Sequence, residues 1–219
     1  MPYEDLESLK RWVLRLTAVS LGLSLLSISF AIKGWTEESE LINSEDFVVS
    51  PDFELSLTAR DNLDTANMVV GILCLIVFLV WEVRANRNLF ALTGQPPRHS
   101  SAAVVVWWFV PIAHWFMPYI ILREIWSRSR PSAAPSLMPL FNAMWFTAIL
   151  MELLLYAHLY ASFSDLEWYW TNVFDIGGEA VGLVTAVLSF VVVQRMSADQ
   201  KQTAEALARA PAQEFAANG

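Results

Sequence analysis

The chain has 219 residues, 55% of them hydrophobic and only 16% charged, with a mean hydropathy of +0.42 and a formal net charge of −8. That balance excludes an ordinary soluble domain and predicts an all-α integral membrane protein. The single cysteine, Cys74, excludes a disulfide framework, a CxxC zinc knuckle or a cysteine-held cluster.

The first apolar run covers about 12–32, with Trp12 and Trp35 at its ends. As helix, the steps between those indoles rise roughly 34 Å, which places both near the interfaces where tryptophan prefers to sit. Arg15 lies one turn inside and can snorkel to the head groups. Ser29-Phe30-Ala31 also resembles a small-x-small cleavage site, but the run is long for a signal peptide and its front carries Glu4, Asp5 and Glu7. A transmembrane span is therefore expected. Residues 33–64 follow as an external acidic loop, with nine acids against two bases. Such a face attracts cations or a basic partner, although charge runs usually serve only as solvated loops.

The second span is expected over 65–82, the third over 136–161 and the fourth over 173–194; each is long enough to cross a bilayer. Between the second and third lies 100–122, an uncharged run broken by Pro111 and Pro118. Arg84, Arg87 and Arg98 precede it, and Arg123, Arg128 and Arg130 follow it. Basic residues collect on the cytoplasmic side, so this segment is expected to enter and leave there as a re-entrant or interfacial hairpin. With both termini cytoplasmic, twelve Lys and Arg lie inside and two outside; were 100–122 to span, the split would be six to eight. The predicted architecture is four transmembrane helices plus one proline-broken hairpin within 1–195. A cytoplasmic tail over 196–219 is predicted to be helical from Ala198 to Ala210, stopped by Pro211 and then disordered.

Small residues mark the helix seams, because close packing and polar contacts hold helices together in lipid. Thr17, Ser20, Ser24, Ser27 and Ala31 form one face of the first span; Gly178, Gly182, Thr185 and Ser189 form one face of the fourth. The second offers Asn67, Gly71 and Cys74. On the third span, Trp145, Ala148, Glu152, Tyr156 and Tyr160 make a larger, more polar stripe. A carboxylate at membrane depth normally faces a bundle interior or cavity. Glu152, Tyr156, His158 and Glu179 are thus candidates for a loose intramembrane polar cluster, serving either packing or an ion or proton pathway.

Within the broken segment, Trp108-Phe109-Val110-Pro111-Ile112-Ala113-His114 leads to Pro118-Tyr119 and Arg123-Glu124-Ile125-Trp126. Both prolines are expected to break helix, and the freed backbone groups then need neighbouring helices or water. This block, with the upstream stretch Trp81-Glu82-Val83-Arg84-Ala85-Asn86-Arg87-Asn88-Leu89, resembles the bacterial multi-span membrane family called domain of unknown function 4328 over about 65–195. The family pattern is similar in its F-x-P-I-x-N segment, second proline and arginine-glutamate-x-tryptophan ending. His114 stands where the pattern has asparagine: if that asparagine ties the break, one ring nitrogen can do the same, and if it serves a ligand, the exchange alters specificity. The resemblance implies a fold and a bacterial cytoplasmic membrane location, and carries no activity.

Serine-histidine-acid sets, HExxH, phosphate loops and dinucleotide fingerprints are missing from the sequence, so no enzyme, cofactor or nucleic-acid partner is expected. Haem ligation by His114 and His158, or acid–base work by Glu152 and Glu179, has no further residue pattern behind it. The expected role is a non-catalytic accessory or scaffolding subunit, within a membrane protein complex or as a homo-oligomer in the lipid bilayer. The alternative is a small channel or transporter using Glu152 and Glu179.

Overall fold

A computed structural model describes residues 2–43, 51–131, 135–164 and 168–217, and all regular structure among them is helical. The elements are α1 (Glu7–Asn43), α2 (Pro51–Thr93), α3 (Ser101–Val106), a 3-10 turn (Ala113–Trp115), α4 (Met117–Ser129), α5 (Met138–Ser162) and α6 (Trp168–Ala217). Four of these helices are long and apolar enough to cross a membrane. Within their most apolar windows only 11% to 22% is buried by the protein itself, so most of that apolar surface is left for lipid.

The helices overrun the expected spans because apolarity marks membrane depth and not helix ends. The region expected as a loop over 33–64 is mostly helix: α1 runs on to Asn43, α2 begins at Pro51, and residues 44–50 lie outside the described residues. Local pairs extend the helix into polar sequence, with Lys33 bridging Glu37 at 3.5 Å and Arg60 bridging Asp64 at 3.8 Å, each one turn apart. At the other end, α6 runs through Pro211 to Ala217 instead of stopping. A proline removes one helical hydrogen bond, and the alanines, Gln213 and Glu214 around it favour helix strongly enough to continue.

The broken segment is α3, a turn, the 3-10 turn and the start of α4. Ser100 caps α3, its hydroxyl accepting from the Ala103 amide at 3.2 Å. Pro111 lies in the turn, as a helix breaker should. Pro118 does not break a helix; it occupies the second position of α4, where a missing N–H costs nothing. Six residues of α3 rise only about 9 Å, so this segment contains no continuous spanning helix.

The chain forms two compact units. One comprises 16–73 and 143–188 and contains portions of α1, α2, α5 and α6. Its seams use the small residues: Thr17, Ser24, Ser27 and Ala31 are buried. A Cβ on Gly182 would meet the Met151 sulfur at 3.3 Å, which marks close approach of α6 to α5.

The other unit comprises 1–15, 74–142 and 189–219. Its core is built from large side chains at helical spacing: Trp81, Ala85, Leu89 and Leu92 on α2, Ile121, Leu122, Ile125 and Trp126 on α4, and Val192, Val193 and Met196 on α6. Leu6 closes the core from the N-terminal side. Nearby, burial and the charges of Asp5, Glu205 and Glu7 push the Tyr3 phenol up to about 12, keeping it neutral throughout the physiological range.

Candidate functional site

The four-helix unit holds a half-open cavity of about 610 Å³ lined by all four of its helices. Its walls are largely apolar, with Leu21, Met68, Met151, Leu155, Phe174 and Leu183, and glycines 71, 178 and 182 leave room where side chains would stand. Into it project Ser20, Ser24, Asp64, Asn67, His158, Asp175 and Glu179. A mostly apolar cavity with a few convergent polar groups is the usual form of a small-molecule site.

The polar groups are organised by neighbouring helices. Asn67 on α2 accepts from Ser20 at 2.6 Å and donates to Ser24 at 2.8 Å, both on α1. Ser27 donates to Asp64. Arg60 pairs with Asp175 across α2 and α6 and also lies 3.8 Å from Asp64. Three lining carboxyl groups (Asp64, Asp175 and Glu179) thus stand against this one guanidinium. His158 Nδ1 stands 3.2 Å from the Thr171 carbonyl. A carbonyl only accepts, so Nδ1 is the donor in this contact. Among the described residues, no three His, Cys, Asp or Glu side chains converge to hold a metal ion.

Of the four candidate cluster residues, His158 and Glu179 line the same cavity. Tyr156 is 52% exposed, and half-buried Glu152 stands outside the lining. The reason is rotational: the face of α5 toward the cavity carries Met151, Leu155 and His158, offset from the Glu152–Tyr156–Tyr160 stripe. Asp64, Asp175 and Arg60 had only the look of charges near helix ends or in a loop, and their pairing connects positions 115 residues apart.

The motif residues lie in the other unit, where Trp108 and Glu124 join hydrogen-bond networks around α2. Trp108 Nε1 donates to Glu82 Oε2 at 2.8 Å, and Phe78 packs edge-on against the Trp108 ring. Trp81 Nε1 donates to Ser197 at 3.0 Å. Asn88 accepts from the Glu4 amide, donates to the Glu4 carbonyl, both at 2.9 Å, and also donates to Gln200 at 3.1 Å. Gln200 in turn donates to the Ala85 carbonyl. Glu124 receives Arg128 at 2.7 Å and the Arg98 amide at 3.1 Å, and Arg128 reaches the carbonyls of Gln95 and Pro96, fastening α4 to the loop after α2. His114 packs edge-on against Trp115, with ring centroids 5.7 Å apart. Phe109 and Arg123 point outward, whereas Pro118 and Trp126 are buried.

Sequence reasoning missed Glu82. It is fully buried, and its Oε1 has no hydrogen-bond partner among the described residues. The available signal was its place between buried Trp81 and Ala85 in the stretch similar to the family segment.

No curated protein and no solved structure matches this chain. Residues 52–198, well over half of the sequence, match the family described as domain of unknown function (DUF4328), somewhat beyond the 65–195 over which the resemblance was read. The span takes in Glu82 and the proline-broken hairpin, and the chain belongs to the DUF4328 family.

Proposed function

We propose that this protein binds a small cationic solute in the cavity of its four-helix unit, as a non-catalytic channel or transporter of a bacterial cytoplasmic membrane. The observation that carries the reading is the set of three carboxylates, Asp64, Asp175 and Glu179, on a cavity whose helices are apolar enough to span a bilayer. Ionisable groups in such helices are costly and mark ion or substrate paths. In this reading both termini are cytoplasmic, and 100–122 enters and leaves on that same side, in keeping with the distribution of Lys and Arg. An accessory role in a complex or homo-oligomer draws on lipid-facing and acidic surfaces that many multi-pass proteins share. The cavity supports the solute reading specifically and puts it first.

The test is charge displacement by proteoliposomes on a solid-supported membrane, challenged with sodium, potassium and methylammonium. The native protein should respond to at least one of them. Glu179→Gln should weaken the apparent affinity at least about tenfold, the equivalent of 1.4 kcal/mol for one lost charge in a poorly screened site. Glu152→Gln should respond like the native protein. Silence toward every cation, or an unchanged Glu179→Gln, overturns the proposal.

A further inference from the structure

The turn between α3 and α4 presents large apolar side chains outward: Phe109 is 64%, Ile112 71% and Phe116 56% exposed, flanked by exposed Val106 and Ile120. At its tip the Ala113 amide donates to the Pro111 carbonyl at 2.7 Å, closing a γ-turn around Ile112, whose φ is 65°. Positive φ is strained for a β-branched residue, and such outliers persist where the surroundings or function fix them. Here the strained residue is also the most exposed apolar group of the turn, an arrangement that gains nothing in water.

The charges beside it identify what covers the tip. Between Glu82 and Glu124 the chain has no acid and four arginines. Arg84 pairs with Glu4 at 3.0 Å, but Arg87, Arg98 and Arg123 form no ion pair with a described acid. An apolar tip on a stretch whose only charged residues are arginines, with Arg87 held at the start of α3 by Ser101, is complementary to acyl chains below anionic head groups. The arm before the tip holds only one short helix, α3, of about 9 Å rise, against about 15 Å for half of a 30 Å hydrocarbon core.

We infer that this hairpin is an interfacial wedge, seating Phe109, Ile112 and Phe116 at the head-group and upper acyl level of an anionic leaflet. The inference rests on the membrane reading and is independent of the cavity. It sharpens the re-entrant expectation by fixing a shallow depth.

The test uses the full chain in nanodiscs, with Cys74→Ala and a nitroxide at Ile112→Cys, read by power saturation with oxygen and a water-soluble nickel chelate. Phe116→Cys provides a second reporter should position 112 perturb folding, and Gln95→Cys provides the aqueous control. In phosphatidylglycerol discs, positions 112 and 116 should be oxygen-accessible, several-fold less nickel-accessible than position 95, and roughly 5–10 Å below the phosphates. Phosphatidylcholine discs, or Arg87→Gln with Arg123→Gln, should raise nickel access several-fold. Nickel access equal to position 95 overturns the wedge, as does midplane depth or independence from lipid charge. Shielding from both relaxants means a covering protein, a partner or second copy, and overturns it as well. Failure of the same-side topology would be read separately, by labelling at Ser127→Cys from outside.

Discussion

A carboxylate one position past an apolar run reads as a solvated helix end, and Glu82 shows how far that reading falls short. Its one described partner is Trp108, 26 residues away, which donates the hydrogen bond to Oε2. Removing that donor with Trp108→Phe leaves the buried carboxylate unpartnered, at a cost of about 2 kcal/mol. The melting temperature in detergent should fall by roughly 4–8 °C for a chain of this size. Glu82→Gln keeps an acceptor for the indole in a side chain that cannot ionise, so it should melt at or above the native temperature. A Trp108→Phe protein as stable as the native one would show that the bond is dispensable. His158 and Glu179 were among the sequence candidates, and both line the cavity. Glu82, Asp64 and Arg60 were not, because each depends on a partner distant in sequence or on helix continuing where polarity suggested loop.

At the scale of the helix, spacing was informative where side chains are small. Thr17, Ser24, Ser27 and Ala31 recur every three or four residues and are buried, because a seam in lipid requires close backbone approach. The stripe on α5 misled, since a tyrosine at the same spacing serves equally well facing outward, as exposed Tyr156 and Tyr160 do. Gly182 tests the seam. Its Cβ would lie 3.3 Å from the flexible Met151 side chain, so Gly182→Ala should cost less than about 1 kcal/mol. Gly182→Leu overpacks the same place and should cost about 1–3 kcal/mol, or drive α5 and α6 apart. Detergent melting of the two variants distinguishes them, and equal stability would mean that the seam has room to spare.

For the whole molecule, the class was legible because its cause is global: few charges and long apolar runs give four helices apolar enough to cross a membrane. Orientation rests on arginine placement and has its own test. In a Cys74→Ala background, Ser101→Cys and Ser127→Cys should both resist an impermeant thiol reagent applied outside intact cells and label after permeabilisation. External labelling of Ser127→Cys alone would mean that the chain crosses between the two positions.

The Asn88 clasp has a consequence for how the protein is made. Glu4 and Asn88 leave the ribosome long before Gln200, 112 residues after Asn88, and Ser197 comes 116 residues after Trp81. At translation rates of about 5–20 residues per second, the amide and indole wait on the order of 6–20 s for their last partners. During that interval the nascent chain holds an unfinished core of tryptophan and asparagine beside already synthesised apolar helices. Its final stitches are set by chain order, so a premature stop just before Ser197 removes both late partners, Ser197 and Gln200, from a chain whose earlier helices are already made.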